Sequence, residues 1–72
     1  MRYAIVIETA PGSRNYSAYV PDLPGCITTG RTIDEIKRNM QEAIELHIEG
    51  LREDGLPIPE PITAVATVEV AA

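Results

Sequence analysis

The sequence predicts an α+β fold of order β-β-β-α-β, an antiparallel sheet with one helix packed on one face. Three observations lead there. Short β-branched runs near the start and end of the chain alternate with a period of two, one long run keeps the 3.6-residue period of a helix, and proline and glycine clusters separate them. Residues 1–72 show no internal repeat or low-complexity tract and read as one domain.

Tyr3, Ile5 and Ile7 alternate with Ala4, Val6 and Glu8, which predicts a strand over about residues 2 to 9. Pro11-Gly12-Ser13-Arg14 is a turn by composition. Tyr16, Ala18 and Val20 then alternate with Ser17 and Tyr19, so the first two strands form a hairpin with Tyr16 and Tyr19 on opposite faces, one for the core and one for an interface. Pro21 and Pro24 each fix φ and push the preceding residue toward extended geometry, and Gly25 can take the positive φ that closes such a turn. The loop is therefore stiff. A third short strand follows from Cys26 to Gly30, and Thr32 with Glu35 three residues later is a capping box that starts a helix.

From Ile33 to about Glu53 the apolar residues Ile33, Ile36, Met40, Ala43, Ile44, Ile48 and Leu51 fall in one arc, the stripe a helix needs to lie across a sheet. Gly50 interrupts this helix at a cost of about 1 kcal/mol relative to alanine, for which a close contact with another backbone is the expected reason. Gly55 after Asp54 is the stop, because it can adopt the left-handed conformation and Pro57 cannot continue a helix. Leu56 to Pro61, with proline at every second position, is an extended connector. Ile62 to Val70 is the final strand, with Ile62, Ala64, Ala66, Val68 and Val70 on one side and Thr63, Val65, Thr67 and Glu69 on the other.

A chain of 72 residues without Phe or Trp builds its interior from Ile, Leu, Val and Ala, and buries only about 60 to 65% of its unfolded surface. Domains of this size add a disulfide, a metal or a partner. Cys26 and His47 are single, which leaves self-association or a partner chain. Six basic against eleven acidic residues give a net charge of −5, so nucleic acid is repelled and a basic partner attracted. No apolar run approaches the roughly 20 residues of a membrane span, and the start lacks the features of a signal peptide, so a cytoplasmic location is expected.

The candidate chemistry is sparse. His47 lies on the apolar stripe and has no nucleophile or carboxylate at a catalytic spacing, which favours a packed or interface residue over a general base. Cys26 reads as a small buried residue rather than a nucleophile. Glu8, Asp22 and Glu69 could meet and hold Mg²⁺ if the first and last strands are neighbours, but no helix acid on the inner side completes such a site. Glu42, Glu45, Glu49 and Glu53 form an acidic ridge, either a solvated face or a docking surface for a basic partner, and Leu46 on the polar side supports docking. No cofactor, catalytic residue or metal ligand is assigned.

The segments Tyr19-Val20-Pro21-Asp22-Leu23-Pro24-Gly25-Cys26, Thr29-Gly30, Thr32-Ile33-Asp34-Glu35, Glu42 through Leu51 and Gly55 through Pro61, in this order and over nearly the whole chain, resemble the HicB antitoxins. The resemblance implies a partial ribonuclease H-like fold and a function without catalysis. It also implies a small basic HicA-type toxin as partner, an mRNA interferase whose catalytic histidine and RNA surface the antitoxin blocks. Members commonly carry a further C-terminal DNA-binding module, so this short form is not expected to bind nucleic acid alone. The small core gives the expectation of a homodimer or homotetramer, and the expected contact residues are Tyr19, Asp22 and Leu23 at the stiff loop and Glu45 and Glu49 along the helix. A weak metal-dependent nuclease and an orphan interaction module are the competing readings.

Overall fold

A computed structural model describes residues 1–72, and the element order is β1 (Val6–Thr9), β2 (Tyr16–Tyr19), β3 (Ile27–Gly30) and α1 (Ile33–Glu53). The three strands form an antiparallel sheet in the order β1-β2-β3. Val6 faces Tyr19 and Ile7 faces Ala18 in the first pair, and Ala18 faces Thr28 and Tyr19 faces Ile27 in the second. Strand β1 is shorter than expected. The residues that would continue β2 past Tyr19 turn away, since the Val20 amide donates to the Cys26 carbonyl and Pro21 has no amide to donate.

The double-proline segment is two consecutive turns. The Leu23 amide donates to the Val20 carbonyl and the Cys26 amide to the Leu23 carbonyl, with Gly25 at φ 85° inside the second turn. This geometry directs Leu23 inward, where it is fully buried. The core comprises Ala18, Val20, Leu23, Cys26, Ile36 and Met40, with Tyr3, Ile5, Ile7, Tyr16, Ala43 and Ile44 packed around it.

Helix α1 starts as its sequence dictates, for the Thr32 hydroxyl accepts from the Glu35 amide at 3.0 Å. The Glu35 carboxylate reaches one residue further back than a capping box requires and accepts from the Arg31 amide. At the other end Gly55 sits at φ 67°, its amide donates to Arg52 and the Leu56 amide to Leu51, a Schellman closure. The helix packs on β3 and β2, and the Asn39 amide group donates to the Thr29 carbonyl at 2.9 Å. Gly30 is what lets them come close, because a Cβ there would stand 3.2 Å from Ile36.

Two expectations are corrected. The apolar stripe of α1 is only partly covered: Ile36 and Met40 are buried, whereas Ile33 is 44% exposed and His47, Ile48 and Leu51 are half-buried. A 21-residue helix spans about 31 Å and a four-residue strand about 13 Å, so the last turns overhang the sheet. The fourth strand over Ile62 to Val70 is absent from the sheet, and these residues form an extended, exposed arm. The Tyr3 hydroxyl donates to the Pro59 carbonyl, and Asp22 accepts from the amides of Ile62 and Thr63 and from the Thr63 hydroxyl. The arm is thus fixed at its root, and from Ala64 onward no hydrogen bond ties it to the chain.

Candidate partner interface

The register of the sheet separates two faces. Ile7, Ala18, Thr28 and Gly30 point toward α1, and the opposite face carries Val6, Tyr19 and Ile27 side by side across all three strands. Nothing in the chain covers that outer face. Tyr19 is 42% and Ile27 71% exposed, whereas Tyr16 is half-buried against the core. The neighbouring row, Glu8, Ser17 and Thr29, is polar, so an apolar band about one residue wide crosses a hydrophilic sheet.

A second surface lies on the flank of α1. A groove of about 570 Å³ runs between the N-terminal segment and the helix, lined chiefly by Tyr3, Ile5, Met40, Ile44 and Ile48, with Arg2, Lys37 and Glu45 at its sides. Glu45 and Glu49 stand exposed beside Met1 and Arg52 in an adjoining depression. The acidic ridge therefore borders an apolar groove.

These placements sort the five residues assigned contact roles. Tyr19 belongs to the outer sheet band, and Glu45 and Glu49 to the helix flank on the other side of the sheet. Leu23 has no exposed surface, and holds the loop from beneath. Asp22 is partly exposed but already engaged, and the Thr63 hydroxyl at 2.7 Å leads the hydrogen bonds that hold its carboxyl below its ordinary pKa. Ile27 and Val6 were missed by sequence reasoning, since only the strand register reveals that they flank Tyr19.

The other candidates fall elsewhere. Burial pushes the Cys26 thiol pKa up, which suits a core residue. Glu8 lies in the hairpin opposite Ser17, Asp22 at the other end of the hairpin, and Glu69 on the free arm, so the three do not assemble. No group of three His, Cys, Asp or Glu side chains is arranged to hold a metal ion. A Cβ on Gly50 would meet no atom, so the close backbone neighbour expected there is not supplied by this chain. No helix is long and apolar enough to cross a membrane.

Comparison with known proteins gives this geometry a context. An uncharacterized 14.9 kDa protein in the rep-hol intergenic region of Haemophilus phage HP1 is 43% identical over 60 residues, 83% of this chain and 44% of the phage protein. A UPF0150 protein of Archaeoglobus fulgidus is 41% identical over 69 residues, 93% of this chain and 99% of that protein. The chain thus spans less than half of the phage relative and nearly all of the archaeal one; for a UPF0150 protein of Thermotoga maritima the share is 63%. Among solved structures, a chain of a HicA3 and HicB3 toxin-antitoxin complex superposes with a TM-score of 0.72 at 35% identity, over 86% of this chain and 70% of that one. Residues 3–71 match the model of the HicB-like antitoxins of bacterial toxin-antitoxin systems, and it is to this family that the chain belongs.

Proposed function

We propose that this chain is the antitoxin half of a toxin-antitoxin pair, which binds a small basic HicA-type mRNA interferase in the cytoplasm and silences it by covering its working surface. The observation that carries this reading is the likeness to a chain of the HicA3 and HicB3 complex, at an identity and coverage that extend beyond the bare fold. The physical chemistry supports it. A net charge of −5 draws a basic partner in, and the exposed Glu45 and Glu49 beside an apolar groove offer both steering and contact area. The band Val6-Tyr19-Ile27 is a second contact surface, with an aromatic anchor at its centre. Asp22 and Leu23 act at one remove, by fixing the loop that follows Tyr19. The mechanism is occlusion, with no chemistry contributed by this chain.

The test is co-expression with the neighbouring reading frame, followed by an RNA-cleavage assay of the partner with and without this chain. The expected result is a stable complex in which a ribonuclease is silent. A neighbour that neither binds nor cleaves RNA would overturn the reading.

A further inference from the structure

The arm from Ile62 to Val70 is built as half of something. Its two sides differ as those of a half-buried strand do: Ile62, Ala64, Ala66, Val68 and Val70 make one wholly apolar face, and Thr63, Val65, Thr67 and Glu69 make a mostly polar one. Yet both sides meet solvent, with Val68 83% exposed. The arm carries a single charge and no proline after Pro61, the devices by which a free strand is kept from pairing. Its extension also shows in the radius of gyration, 14.0 Å against about 11 Å for a compact chain of this length.

The same chain holds a place of matching shape. β1 pairs on one side only, and beside it runs the apolar groove lined by Tyr3, Ile5, Met40, Ile44 and Ile48. The opposite edge of the sheet is less open, because Asn39 from α1 takes the Thr29 carbonyl of β3. The nine arm residues reach about 30 Å in strand geometry, and the groove continues the four-residue edge of β1 back along Ile5 and Tyr3 to Arg2 and Met1.

We propose that the arm is an exchanged strand: Ile62–Val70 of one copy lies along the β1 edge of a second copy, its apolar face in that groove, and receives the second copy's arm in return. Each chain carries one arm and one edge, so a two-fold pair satisfies both and leaves neither over. Closure onto the chain's own edge is opposed at the hinge. Pro57, Pro59 and Pro61 stiffen the connector, and Asp22 holds Ile62 and Thr63 in place at the root of the arm. The inference does not rest on the toxin reading, and its test contains no toxin.

The experiment measures the mass of the full chain by light scattering across a concentration series, together with amide hydrogen exchange, for the native sequence and for Val68→Lys and Val65→Lys. The expected mass is twice the 7.8 kDa of one chain or a multiple of it, with amides from residue 64 to 70 protected only in the assembled form. Val68→Lys, on the apolar face, weakens assembly on the order of tenfold or more, while Val65→Lys leaves it within about twofold. Circular dichroism confirms that α1 persists in both variants, as the arm lies outside the core. A monomer at every concentration, an assembly with freely exchanging arm amides, or equal responses of the two variants would overturn the proposal. Protected arm amides in a monomer would show the arm closing on its own sheet, which overturns it as well.

Discussion

The two ends of α1 teach what this molecule completes by itself and what it leaves open. Toward its N-terminus the helix is capped by Thr32, approaches the sheet closely at Gly30 and buries Ile36 and Met40 against Ala18, Val20, Leu23 and Cys26. Toward its C-terminus it is as well closed, by Gly55 and Leu56, but Ile48 and Leu51 on its apolar side are only half-buried. The difference is tertiary, since one helix with sound caps at both ends holds fully buried side chains near one end and only half-buried ones near the other. Only seven of the 72 residues are buried, so the stable half is small and the open half is where further burial must come from.

The sharpest way to break this contrast is to cut into the finished half. Leu23→Ala removes a side chain with no exposed surface from beneath the double turn and should cost about 2 to 5 kcal/mol, much of the net stability of a chain this size. Leu46→Ala, on the overhanging half, should change the isolated chain by less than about 0.5 kcal/mol. Urea unfolding followed by circular dichroism measures both. Comparable losses would mean that the two ends are equally consolidated.

Next in size is Gly30→Ala, expected to destabilise by about 1 to 3 kcal/mol because the new methyl would press on Ile36 at 3.2 Å. Glycine 50 should respond with the opposite sign. Its Cβ would meet nothing in the chain, so Gly50→Ala should stabilise the isolated protein by about 0.5 to 1 kcal/mol through helix propensity. If that surface receives a partner's backbone, the same variant weakens the complex while strengthening the free chain. Thermal unfolding of the free chain and titration of the complex separate the two effects.

Charge reversal at Glu45 and Glu49 together probes the open half directly. It should leave folding nearly unchanged, weaken binding of the proposed basic partner about tenfold at low salt and flatten the salt dependence, as expected of exposed charges at an interface. Affinity that stays constant across salt would remove the ridge from the contact surface.

Much of the finished half was legible in the sequence. The bounds of α1, the glycine at φ 67° and the stiffness of the proline loop follow from local chemistry, which caps, prolines and glycines state openly. The open half was over-read for a specific reason. Helical period tells which residues share a side, but not how much sheet lies under them, so Ile48 and Leu51 looked equivalent to Ile36 and Met40. The arm failed in the same way: alternation in Ile62 to Val70 sets which residues share a face without saying which edge they join. The inward turn of Leu23 and the row Val6-Tyr19-Ile27 depend on turn geometry and register, which no single residue announces.

The smallest expected effect concerns the clamp at the border between the two halves. Asp22 binds the arm root only as a carboxylate, since its oxygens accept from two amides and one hydroxyl. Its pKa in the folded chain is lowered, first by the Thr63 hydroxyl and further by the amides of Thr63 and Ile62. A depressed acid contributes stability that is complete above its unfolded value, about 3.9, and lost as pH falls through the lower folded value. The arm root should therefore stay fixed through neutral and mildly acidic solution and loosen only below about pH 4. Amide chemical shifts of Ile62 and Thr63 followed against pH should titrate together with a midpoint below that of an unperturbed aspartate. In Asp22→Asn the same two shifts should move at neutral pH and lose their acid titration, while Ile36 and Met40 keep theirs in place. An unshifted midpoint would mean that the arm is not held at its root by the Asp22 carboxylate.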